Sequence, residues 1–217
     1  SGATGGTIAG NYIGTDVTGN TVVDLTFDGV RLDNGTTGVT VGGSTSAHGN
    51  VIVSTENQVD ISGESSDGNT VQSNLIGVSA DGSTNLNLST NTSGSAVYIS
   101  LGADNTQVID NTIVGSRYVG IELDAGGTND GTIIQGNIIG TDATGTLNWG
   151  NGENGILLED ATNTIIGGVN PGEGNLVAFS GRVTSIYGAG ISVQDGGSGN
   201  TIRGNSIYSS SDIGIDL

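Results

Sequence analysis

The apolar residues of this chain fall in short clusters of Val, Ile and Leu bounded by Gly, Asn and Asp. In "GVRLD" (29–33), "AVYIS" (96–100), "GIELD" (120–124), "GILLE" (155–159) and "GISVQ" (190–194), apolar positions alternate with variable ones. That is the period-2 signature of a strand with one face in a core. A second cluster type, "NTVQSNLIG" (69–77) and "NTIRGNSIY" (200–208), reads as a further strand of each unit. No window carries apolar residues at helical spacing over three turns. Glycine supplies 41 of the 217 residues, and both glycine and β-branched residues form helices poorly.

An asparagine recurs in the second cluster type. Asn11, Asn50, Asn74, Asn111, Asn137, Asn175 and Asn205 are spaced 39, 24, 37, 26, 38 and 30 residues apart. Long and short units alternate, and Asn11, Asn74 and Asn137 are 63 apart each time. Around these three the text nearly repeats: "IAGNYIGTDVTG" (8–19), "VQSNLIGVSADG" (71–82), "IIQGNIIGTDATG" (133–145). Fixed periods of this length mark stacked repeats. Each unit suits one coil of three short strands, and about seven coils spaced by about 4.8 Å give a rod on the order of 35 Å long. The asparagines suit an inward-turning corner, since Asn tolerates left-handed backbone and can hydrogen-bond its copy in the next coil.

The stretches 199–217 ("GNTIRGNSIYSSSDIGIDL"), 132–146 ("TIIQGNIIGTDATGT") and 163–168 ("NTIIGG") resemble right-handed parallel β-helix repeats of secreted bacterial proteins. Such repeats occur in the pectate-lyase-like superfamily, in phage tailspikes and in large surface proteins. The resemblance spans residues 1–217 and implies one all-β domain, a right-handed parallel β-helix of about seven coils. It implies a secreted or cell-surface location. Many functions share this fold, so it leaves the function open. The chain stops at "GIDL", in step with the opening of "GIELD", which reads as a coil cut in the middle. A piece of a longer polypeptide with flanking domains is therefore expected.

The formal charge is −18, with no lysine, no cysteine and only Arg31, Arg117, Arg182 and Arg203 as strongly basic residues. Phosphate recognition needs a basic footprint, so nucleic acid is excluded as a partner. No apolar run is long enough to insert into a membrane as a helix.

If Val30, Val59, Val97, Ile121, Ile156, Ile191 and Ile215 point inward, the residues that follow point out. One outward column is then Arg31, Asp60, Tyr98, Glu122, Leu157, Ser192 and Asp216, and a second includes Asp124 and Glu159. Column neighbours about 5 Å apart can act jointly. In the enzymes this chain resembles, a comparable solvent-facing sheet carries the substrate groove. Tyr98, Glu122, Asp124 and Glu159 are the candidate ligand site, with Trp149 of "TLNWGNGEN" as an aromatic that could stack on a sugar or cover its own loop. Three readings of the cluster compete: a solvated acidic face, a calcium site on Asp124 and Glu159, and a catalytic carboxylate pair. No cofactor is required by these residues; calcium, on Asp124 and Glu159, is the one they could hold. Asp16, Asp81 and Asp142, in "GTDVTG", "GVSADG" and "GTDATG", read as turn residues rather than calcium ligands.

A lyase mechanism lacks its chemistry here, since no lysine exists to stabilise an enolate and only Arg31 lies in the outward column. The expected function is a non-catalytic scaffold, adhesive or glycan-binding segment, with polysaccharide as the partner. The alternative is a polysaccharide-degrading enzyme using the acidic face.

Overall fold

A computed structural model describes residues 2–23, 27–86, 93–183 and 187–217. It is a parallel β-helix. Three seven-stranded parallel sheets run through seven successive coils, and each strand pairs with its counterparts in the coils before and after. Coil 4 shows the plan: Gln107–Ile109 in the first sheet, Thr112–Ile113 in the second and Ile121–Leu123 in the third. Among the described residues the one helix is a 3₁₀ turn, Ser46–His48.

The alternation read from the sequence sets the third sheet. Val59, Val97, Ile121, Ile156 and Ile191 stack in register and are fully buried. Val71, Val108, Ile134 and Ile166 do the same in the first sheet, and Ile52, Ile76, Ile113, Ile139 and Val177 in the second. Each coil therefore contributes a few β-branched side chains to one narrow continuous core.

The second cluster type holds two strands, not one. In "NTVQSNLIG" the strands Thr70–Gln72 and Leu75–Ile76 lie in different sheets. The residue before the asparagine breaks them apart: Gly10, Ser73, Asp110, Gly136 and Gly204 carry φ between 56° and 69°. The ladder asparagines are not themselves left-handed, as the sequence reading allowed. Their work is hydrogen bonding. Each Nδ2 donates to Oδ1 of the asparagine in the next coil at 2.9–3.0 Å, through all six steps from Asn11 to Asn205. The same groups donate backward to core carbonyls, as Asn137 does to Val108. Asn50, Asn74, Asn111, Asn137 and Asn175 are buried yet fully partnered, which removes the cost of a polar group in a core.

The 63-residue period has a second cause outside the core. After the second-sheet strand, coils 1, 3 and 5 extend loops that meet one another across the intervening even coil. The Ala80 N–H donates to the Gly19 carbonyl at 2.9 Å, the Asp81 N–H to Asn20 Oδ1 at 3.3 Å, and Asn85 Nδ2 to the Trp149 carbonyl at 3.4 Å. In coil 7 the Tyr208 hydroxyl donates to the Gly145 carbonyl, again 63 residues away.

Candidate functional site

The third sheet's outer face carries the candidate residues. Tyr98, Glu122 and Leu157 occupy one register column in coils 3, 4 and 5, and Glu159 pairs with Gln194 one column further along. Asp124 directly follows the strand Ile121–Leu123, and its N–H donates to the Ile99 carbonyl. One carboxylate oxygen from each of Glu122, Asp124 and Glu159 lies within 4.8 Å of the other two. The Tyr98 hydroxyl donates to Asp124 and the Ser95 hydroxyl to Glu122. Four of the five residues singled out from sequence are thus drawn together on one face.

Trp149 is not among them. It is 9 % exposed and packs with Val78, Val114 and Leu75 beneath the coil 5 loop, on the second sheet's side. Its place as a ligand residue is corrected to that of a loop cover. The physical reason is the stacked loop layer, which needs an apolar underside where it crosses the solenoid.

Burial pushes the Glu122 carboxyl up to about 7; the Ser95 hydrogen bond opposes the shift, and the charges of Asp124, Glu159 and Glu153 add to it. Burial also raises Glu159, helped by its hydrogen bond and charge interaction with Asp124. Tyr98 is raised by burial and then by donation to Asp124, so it stays a phenol and a donor. The Tyr98 and Ser95 hydroxyls are spent on Asp124 and Glu122, so the face offers carboxylate and hydroxyl oxygens as acceptors and the raised Glu122 carboxyl as a donor when protonated.

The three carboxylates are the oxygen donors a hard divalent cation takes. Two ligands of one calcium ion lie no more than about 5 Å apart, which this cluster meets, although calcium takes roughly six to eight oxygens. Three side chains supply half of that at most.

Residues outside the predicted columns complete the face. A depression of about 340 Å³ is lined by Glu122, Glu153, Asn154, Leu157, Glu159, Tyr187 and Gln194. Ser95, Glu153 and Tyr187 lie in turns just before third-sheet strands, beyond the reach of an alternation rule. They stand two, three and four residues before Val97, Ile156 and Ile191, so no fixed count from the strand finds all three. Burial raises Glu153 while Arg117 opposes the shift.

The remaining candidates have other tasks. Arg31 is tied to Asp28 at 2.7 Å and to Asp60 of the next coil at 3.0 Å, so it is committed to the seam between coils 1 and 2. Asp60 is outward in register yet buried. Asp16 accepts from the Thr18 hydroxyl and from the N–H groups of Thr18, Asn20 and Thr21. Asp142 repeats that pattern with Thr144, Thr146 and Leu147. Asp81 does not occupy the same position. There Ser79 stands where Asp16 and Asp142 stand, and Asp81 takes the hydroxyl's place two residues on, still bonded to Ser79 and Ser83. These carboxylates close their own turns. His48 lies on the surface beside Thr45.

Compared with known protein families, with curated proteins and with solved structures, the chain matches none.

Proposed function

We propose that this chain is a stiff, non-catalytic segment of an extracellular protein that binds polysaccharide along the third sheet's outer face. One observation carries the reading. Two hydrogen-bonded pairs, Tyr98 with Asp124 and Ser95 with Glu122, converge with Glu159 beside an open depression on a rigid sheet, the three carboxylates within 4.8 Å of one another. Hydroxyl-rich ligands are recognised by such mixed donors and acceptors on a surface that need not rearrange. The net charge of −18 favours an uncharged glycan over a polyuronate. Lyase chemistry is not favoured, because Arg31 is committed to Asp28 and Asp60, and Tyr98 is bound to Asp124 with its pKa raised.

A second reading, hydrolysis of a glycosidic bond, has its own support. Glu122 titrates near 7 and has carboxylate oxygens within 4.8 Å, close to the separation of about 5–5.5 Å in retaining glycosidases. A glycan array followed by a turnover assay on its hits separates the two. Hits lost in Tyr98→Ala without product formation support binding. Turnover that disappears in Glu122→Gln would replace binding with catalysis.

A further inference from the structure

We propose that Tyr118 and Tyr187 form the stacking edge of a site for an extended, uncharged, β-linked polysaccharide lying along the solenoid axis across coils 4 to 6. The proposal rests on the reading that the third-sheet face binds glycan, and adds ligand class, direction and residues.

The edge is defined by chain register. Phe27 and Tyr118 lie three residues before the first inward residue of their third-sheet strands, Val30 and Ile121. Tyr187 lies four before Ile191. Glu153 occupies the same place in coil 5, and its N–H donates to the Tyr118 carbonyl at 2.9 Å, which joins the two coils at this edge. Phe27, Tyr118 and Tyr187 are 69 %, 41 % and 55 % exposed. Tyr98 lies on the adjoining third-sheet face, in register with Glu122, and Phe27 lies in coil 1, outside the span proposed. Aromatic rings carry large apolar faces, and a fold with a narrow aliphatic core gains nothing by leaving them in water.

Spacing identifies the ligand. Tyr118 and Tyr187 are two coils apart, about 9.6 Å along the axis at the usual strand separation. One pyranose ring cannot cover both. An extended two-fold β-1,4-linked chain turns each ring over relative to the last, so every second ring presents the same C–H face to the same side. Such a chain would stack on Tyr118, pass its intervening ring over Glu153, and stack again on Tyr187. The depression beside Tyr187 offers Glu122, Glu153, Glu159 and Gln194 to the ring hydroxyls, with Leu157 as its apolar part. The carboxylates repel polyanionic chains.

Affinity electrophoresis of the full chain through gels carrying hydroxyethylcellulose, galactomannan or arabinoxylan, with polygalacturonate as the anionic control, tests this. At least one neutral polymer is expected to retard the native chain, and polygalacturonate is not. Tyr118→Ala and Tyr187→Ala are each expected to weaken binding about fivefold or more. Both side chains are exposed, and unchanged circular dichroism would verify the fold. Six-ring fragments of the retarding polymer should bind at least about tenfold tighter than two-ring fragments. Native retardation that neither tyrosine variant alters, while Tyr98→Ala abolishes it, overturns this proposal and leaves the glycan-binding reading standing. Equal affinity for short and long fragments does the same. Retardation by polygalacturonate, or by no neutral polymer, overturns both.

Discussion

Truncating one rung of the asparagine ladder should cost far more than a typical surface substitution, and the amount depends on the rung. Asn137 is fully buried. Its Nδ2 donates to Asn175 Oδ1 at 3.0 Å, the Val108 carbonyl at 2.8 Å and the Gln135 carbonyl at 3.1 Å. Its Oδ1 accepts from the Asn111 N–H and Nδ2, each at 3.0 Å. Asn137→Ala strands the Asn111 N–H in the core and takes a donor from Val108 and from Asn175. Asn175 Oδ1 keeps the Asn137 N–H, so the Asn111 N–H and the Val108 carbonyl are the groups stranded, and at about 1–3 kcal/mol each the total loss is about 2–6 kcal/mol. Asn11 provides the contrast. It is exposed and only donates at the ladder, to Asn50 Oδ1, which keeps the Asn11 N–H when the side chain is lost. Asn11→Ala should cost less than about 1 kcal/mol. Asn137→Asp keeps the acceptor but cannot donate, and places a charge against two oxygens. It should be at least as damaging as alanine at pH 7 and recover in part below pH 4, about where Asp protonates. Urea unfolding followed by circular dichroism measures all three. A loss below about 1 kcal/mol for Asn137→Ala, or equal losses at Asn137 and Asn11, would refute the argument that the ladder stabilises the coil stack.

Between its ordinary value of 4.5 and about 7, Glu122 holds its proton more tightly in the folded chain than in the unfolded one. Stability therefore falls as pH rises through that window, and between pH 5 and 8 the native chain should lose about 2–3 kcal/mol more than Glu122→Gln; parallel urea midpoints would count against the burial of Glu122. Asp142→Ala should cost about 1–3 kcal/mol by freeing the Thr146 and Leu147 N–H groups, and the loss should be the same in calcium and in chelator; a calcium-dependent difference in melting temperature would revive the metal reading of that loop. Trp149, the only tryptophan, should show blue-shifted emission poorly quenched by acrylamide. Trp149→Ala should lower stability by about 3–5 kcal/mol without changing glycan affinity, whereas loss of affinity in a folded variant would return it to the site.

The coil plan was legible because two signals shared one period. Apolar alternation fixed which face of the third sheet is inside, and the asparagine spacing fixed where each coil turns. Four site residues followed from that register alone. The failures share a physical cause, which is that a period describes equivalent positions and not what lies over them. Asp60 is outward by alternation but buried, with Arg31 and Asp28 bound to it. Trp149 does lie in a loop, as its sequence context reads, but the choice between sugar stacking and covering that loop rests on its packing with Val78 and Val114, which is visible only in three dimensions. Ser95, Glu153 and Tyr187 sit in turns of unequal length, where counting from one coil to the next drifts by a residue.

The two outer surfaces of the solenoid divide the labour between them. On the second sheet, loops 63 residues apart must meet across an even coil, so their sequence is held to "GTDVTG" and "GTDATG", with the carboxylate and hydroxyl exchanged but both kept in "GVSADG". A substitution there acts on two neighbours as well as on its own turn. On the third sheet the outward column does not repeat: Arg, Asp, Tyr, Glu, Leu and Ser follow one another along one line, with Asp60, Leu157 and Ser192 buried and Tyr98, Glu122 and Glu159 half-buried. At the half-buried positions Tyr98, Glu122 and Glu159 a side chain faces outward from a rigid sheet and can change with less effect on the coil that presents it, which is what a recognition surface requires. The repeated face explains why the rod is built in two-coil steps, and the unrepeated face is where its chemistry differs from coil to coil.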